Sequence, residues 1–161
     1  MTQYAILRDL ILRELHTMQR EVLAYRADEE LYFSLPGISN TGGNIALHCA
    51  GNLQHFIGAR LGHSGFVRNR DLEFTDRTRS RDSVAAELAK TADAVRDALT
   101  GRQLPHDFPD KVGDRSLRTE VFLTHLAVHL GYHLGQLDYH RRIATGDNTT
   151  LDAVSIKELP E

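Results

Sequence analysis

The sequence predicts an all-α protein, a four-helix bundle, on three observations. Apolar residues recur at helical spacing in four long segments. Stretches rich in glycine, proline and small polar residues separate those segments. No period-2 alternation of strand type and no internal repeat runs along the chain. With 161 residues, 41% of them hydrophobic and 25% charged, the chain is long enough for a real core and is expected to form one domain over 1–161.

Leu7, Leu10, Ile11, Met18, Val22 and Tyr25 share one face of a first amphipathic helix, expected over residues 2–27. Pro36-Gly37 and the stretch from Ser39 to Gly43 break it. Asn40 or Thr41 can cap the second helix, because a short side-chain oxygen accepts a free backbone N–H at a helix start. That helix is expected to reach about Leu61, with Ile45, Cys49, Asn52, Phe56 and Ala59 on its buried stripe and Gly62 as its stop. Residues 62–79 read as a long arginine-rich connection with little regular structure. Ser80 opens a third helix with the stripe Val84, Leu88, Ala92, Val95 and Leu99, ended by Gly101. Pro105 and Pro109 mark the next loop. Ser116 or Thr119 is expected to cap a fourth helix that runs to Thr145, before Gly146. The tail over 147–161 is expected to be peripheral.

Several function classes fall away on composition. The net charge is −3, and the five arginines between Arg68 and Arg81 are interspersed with Asp71, Glu73 and Asp76. This is a solvated connection rather than a polycation, so nucleic acid is not an expected partner. No apolar run approaches the roughly 20 residues of a membrane span. The first residues lack the layout of a signal peptide, and a cytoplasmic location is expected. The single cysteine, Cys49, rules out an internal disulfide and reads as a small core residue.

The fourth helix departs from an apolar core in an ordered way. Each helical residue turns the side chain by about 100°, so positions four apart share a face. Leu126, His129, His133, Leu137 and His140 all lie within about 60° of the direction of Phe122. His129 and His133 can grip one metal ion between them, and His48 breaks the second helix's stripe in the same way and would complete a facial set. His125 sits at the margin of that face. His55 is two turns beyond His48, roughly 10 Å along the axis, too far to share its ion. Gln136 can hydrogen-bond a ligand imidazole or a water. Glu14, inside the first helix's stripe, fits a second-sphere acceptor, a proton shuttle, a fourth ligand or an arginine's partner. The same histidines are also compatible with a core in which imidazoles only make hydrogen bonds.

Two stretches carry a resemblance. One runs Asn44-Ile-Ala-Leu-His48-Cys-Ala-Gly51-Asn52-Leu-Gln54-His-Phe56-Ile and continues to Arg68-Asn-Arg70-Asp71-Leu-Glu73-Phe74; the other is His129-Leu-Gly-Tyr-His133-Leu-Gly135-Gln136-Leu-Asp-Tyr-His-Arg141-Arg142. Together they resemble the DinB/YfiT-like superfamily of bacterial four-helix proteins over about a third of the chain. The resemblance implies an up-and-down bundle with a longer second connection, a homodimer, and a divalent ion on His48, His129 and His133. Nickel and zinc are the usual occupants in similar proteins; manganese and iron also occur. Some members are transferases using a low-molecular-weight thiol such as bacillithiol, mycothiol or glutathione, or isomerases that depend on one.

Three neutral imidazoles would leave coordination positions for a small-molecule substrate, a thiol or water. Both thiol transfer and hydrolysis fit such a site. The chain carries no nucleophile motif of its own and no glycine-rich phosphate loop. The expectation is a metal-dependent enzyme that activates an exogenous thiol or a water. The alternatives are a non-catalytic metal-binding or stress-response protein and a purely structural bundle.

Overall fold

The computed structural model describes residues 2–159. Among the described residues the fold is all-helical, with four long helical segments, two short α-helices and a 3-10 turn over Ile156–Glu158. Helix α1 spans Gln3–Leu23 and starts where the Thr2 side chain accepts the Ala5 N–H at 3.2 Å. It ends before the expected boundary at residue 27. The Ala24 N–H closes onto the carbonyls of Arg20 and Glu21, and the Glu30 carboxylate takes the Arg26 N–H at 2.8 Å. That second bond starts a separate helix, α2, over Asp28–Leu31. Tyr25 lies beyond α1 yet remains buried.

Helix α3 covers Gly42–Leu53, with Thr41 as its cap. It continues as a wide π-helical turn over Gln54–Ala59, in which the Arg60 N–H reaches the His55 carbonyl and the Gly62 N–H the Ile57 carbonyl. All twelve residues of α3 are buried, not one stripe alone. The helix is therefore enclosed, as expected of a segment with so few charges.

The connection after α3 is not irregular throughout. Arg70–Thr75 forms helix α4, capped by the Asn69 side chain on the Leu72 N–H. Asn44 of α3 pins this helix by donating from Nδ2 to the carbonyls of Glu73 at 3.0 Å and Asp76 at 3.2 Å. Helix α5 spans Arg81–Leu99 with Ser80 as its cap, as its sequence predicts. Helix α6 spans Thr119–Thr145 and ends at Gly146, whose φ of 69° is the left-handed value glycine adopts freely. Neither Ser116 nor Thr119 caps it. Arg118 occupies the cap position, and the Thr119 N–H is held by the His106 carbonyl instead.

The core forms where α1 and α3 each pack against both α5 and α6. Ile11, Met18 and Val22 of α1 meet Val84, Val95, Leu123, Leu126 and Leu137, all essentially inaccessible to solvent. An ion pair lies inside this layer: Arg141 of α6 donates from Nε to Glu21 of α1, with both residues 0% exposed. The same guanidinium donates to the carbonyls of Asp147 and Thr149 at 3.2 and 2.7 Å. Arg13 holds the Ser155 carbonyl. The tail after α6 is thereby tied to the bundle by buried arginines.

Candidate metal centre

Helix α3 delivers His48 and helix α6 delivers His129 and His133 one turn apart, on the faces where the two helices meet. One ring nitrogen or other donor from each lies within 4.8 Å of its counterparts in the other two. Three points so spaced have a common centre no more than roughly 2.8 Å from each, close to the 2.0–2.1 Å of a metal–imidazole bond. His129 Nε2 and His133 Nε2 are 3.1 Å apart. Two nitrogens on one divalent ion stand roughly 2.9–3.4 Å apart, from octahedral to tetrahedral angles. The pair on α6 therefore already has the separation of neighbouring ligands.

Hydrogen bonds on the far side of two rings fix which nitrogen faces the centre. Glu73 Oε2 lies 3.0 Å from His48 Nδ1. Arg68 Nη2 also lies 3.3 Å from that Nδ1 but donates to Glu73 Oε2 at the shorter 2.7 Å. The carboxylate, which only accepts, is the nearer group, so His48 carries its proton on Nδ1 and presents the Nε2 lone pair. The same carboxylate receives Arg68 Nε at 2.6 Å and Nη2 at 2.7 Å. Gln136 Oε1 lies 2.7 Å from His133 Nδ1, so His133 likewise presents Nε2. That lone pair accepts the Nε2–H of His129, a proton that a bound cation would displace. Carboxylate or amide to imidazole is the arrangement that orients metal-binding histidines elsewhere.

The electrostatics agree. Burial, then the neighbouring His133, His48 and His125 rings, pull the His129 pKa down to about 4. Burial also lowers that of His133. Both are therefore neutral near pH 7, the state in which imidazole coordinates. Burial opposes ionisation of Glu73, but its hydrogen bonds from Arg68 and His48 prevail and hold its pKa below the ordinary carboxylate value.

Glu73, Arg68 and Phe74 were not expected at the site, since their segment reads as solvated. Glu73 is only 6% exposed, and Phe74 lies beside the His48 ring at 5.0 Å. Gly51 makes room for this support: a Cβ there would collide with the Glu73 carboxylate. The sequence signals were Asn69 as a cap and the acidic Asp71 and Glu73 in the following turn.

The remaining polar residues separate cleanly. His125 is exposed and stacks on Phe122 and His129 at centroid distances of 6.0 and 6.1 Å, outside the three-histidine set. His55 also lies outside it, its ring against Phe56. His140 is buried among its own partners: Nε2 donates to the Phe33 carbonyl at 2.8 Å, and Nδ1 accepts the Tyr25 hydroxyl at 2.7 Å. It is a structural histidine held neutral, its pKa lowered by burial. Glu14 pairs with Arg13 in the interior and does not belong to the set. Cys49 is a buried core residue whose pKa is driven upward by burial.

No helix among the described residues is long and apolar enough to cross a membrane. The sequence profile of a family described as "Protein of unknown function (DUF1572)" matches residues 2–157. No curated protein and no solved structure matches the chain.

Proposed function

We propose that this chain, which belongs to the DUF1572 family, binds one divalent cation on His48, His129 and His133 and uses it to activate an exogenous thiol or water. The observation that carries the reading is the convergence of three histidine donors, with His48 and His133 anchored through Nδ1 so that Nε2 faces inward. Three neutral donors leave the net charge of the cation uncompensated, which favours anionic ligands at its open positions. When bound, a divalent ion there supplies Lewis acidity and favours the deprotonated form of a thiol or water. The chain's own part is to orient. Glu73 and Arg68 hold the His48 ring, Gln136 holds the His133 ring, and partial burial keeps His129 and His133 unprotonated.

The finer reading is a DinB/YfiT-like bundle, a homodimer, and a thiol S-transferase or hydrolase with nickel or zinc as the occupant. It rests on the resemblance of the His48 and His129–Gln136 stretches, and the donor set suits either ion. Equilibrium dialysis of untagged protein against zinc and against nickel tests the centre. One equivalent should bind per chain, and His129→Ala should lose most of the affinity because its two remaining ligands lie on separate helices. Equal occupancy in the variant would remove His129 from the ligand set. A panel of thiol-plus-electrophile and hydrolysis assays then tests catalysis. Turnover that survives removal of all three imidazoles would defeat the mechanism.

A further inference from the structure

A cavity of about 560 Å³ lies between α6 and the loop that precedes α3; none of the three histidines is in its wall, but Tyr132 and Gln136, which flank His133, are. Its size is that of a small-molecule site. Tyr132, Gln136, Tyr139 and Ile143 line it from α6, with Ile38 and Ile45 opposite. None of its twelve lining residues is Asp, Glu, Lys or Arg. A second cavity, of about 220 Å³ behind α4, is by contrast lined by Glu73, Asp76, Arg79 and Glu87.

Two residues join the uncharged cavity to the candidate centre. Gln136 is at once a residue of the cavity wall and, through Oε1, the acceptor for His133 Nδ1–H, so its amide N–H groups are not used on that imidazole. The Tyr132 ring lies 5.3 Å from the His133 ring. His140, also in the wall, brings no charge to it, because its nitrogens donate to the Phe33 carbonyl and accept from the Tyr25 hydroxyl as a neutral imidazole. The wall itself offers an ionised group no counter-charge, so burying one against it is costly, while an apolar body gains from leaving water.

We propose that this cavity binds the acceptor substrate of the neighbouring centre, and that this substrate is an uncharged, mainly apolar molecule with an aromatic or branched aliphatic body. The assignment rests on the metal reading for what happens to the substrate, but not for its binding. Ile38 and Ile143 of the rim are 54% and 59% exposed, so either can be replaced without opening the core.

The test is titration of the full chain with naphthol and with naphthoate, first free of metal and then after zinc is added, with bound zinc and sedimentation measured on the same samples. The preference is read without zinc, where no cation can hold the naphthoate carboxylate. Naphthol should bind with a dissociation constant below about 100 µM and at least about tenfold more tightly than naphthoate. Ile143→Lys should weaken naphthol about tenfold while zinc content stays unchanged. Equal affinity for the two probes, no naphthol binding, or unaltered binding in Ile143→Lys would overturn the assignment. So would a wild-type dimer that takes no naphthol and becomes monomeric in Ile143→Lys, since a second copy would then own this face. Naphthol binding with the stated preferences but no bound zinc would uphold the cavity and defeat only the metal reading.

Discussion

Replacing Glu73 with glutamine separates the support of the candidate centre from its ligands. Glu73 is 6% exposed and accepts from His48 Nδ1 at 3.0 Å and from Arg68 at 2.6 and 2.7 Å. Glutamine keeps the shape but removes the charge, and its NH2 group cannot accept a hydrogen bond. One of two partners then loses its acceptor. The Nδ1–H tautomer of His48 is no longer enforced, and imidazole basicity falls with it. Loss of such a support typically weakens metal binding about 10- to 100-fold, or about 1.4–2.7 kcal/mol. The Arg68 guanidinium is also left without its counter-charge. Full burial of such a cation costs about 3–5 kcal/mol, but the Arg68 side chain retains 13% exposure, so about 1–3 kcal/mol is expected for folding of the metal-free chain. Competition against a chromogenic zinc chelator reads the first quantity, and urea unfolding of metal-free protein reads the second. Zinc affinity within twofold of wild type in a folded Glu73→Gln variant would refute the role assigned to this carboxylate.

Three further outcomes follow from neighbouring geometry. Gly51→Ala should mimic Glu73→Gln, because the added methyl collides with the Glu73 carboxylate; a variant with native zinc affinity would show that Glu73 can retreat at no cost. Arg141→Met should destabilise the chain by about 3–5 kcal/mol by stranding the buried Glu21 carboxylate, and Glu21→Leu added to it should recover much of the loss; denaturant midpoints decide, and a single variant as stable as wild type contradicts the account. Acidification should weaken the metal-free chain. The pKa values of His129, His133 and His140 are lowered in the fold, so the unfolded chain binds more protons below its ordinary histidine pKa of about 6.5. Their contribution is complete above that pH and declines as pH falls toward the folded values, about 4 for His129; stability that stays level from pH 7 to 4.5 would contradict it.

What was legible in the sequence is what local spacing encodes. The stripe of α5, its Ser80 cap and the Gly146 stop are read within a few residues of themselves, and each is where the pattern places it. The i, i+4 relation of His129 and His133 follows from helix geometry alone. The convergence of His48 on them followed from its place on the enclosed face of α3 and from the family resemblance. Other features depend on contacts between distant residues. Glu73 is buried because Asn44, 29 positions earlier, holds its carbonyl, and because Gly51 leaves it space. Among arginines and aspartates its charge looks like surface. Glu21 and Arg141 are 120 residues apart and bury their charges only in each other's company. Helix α1 stops early because Glu30 captures the Arg26 N–H, a competition that a hydrophobic stripe does not record. The start of α6 likewise depends on a distant partner: the His106 carbonyl, from the preceding loop, satisfies the Thr119 N–H.

The most direct measurement is X-ray absorption at the zinc edge of the zinc-loaded chain. Three imidazoles should appear as nitrogen scatterers at about 2.0–2.1 Å with the outer-shell pattern of rigid rings, and His129→Ala should reduce their number. A spectrum with one imidazole or none, or one that His48→Ala, His129→Ala and His133→Ala all leave unchanged, would contradict a cation shared by these three rings.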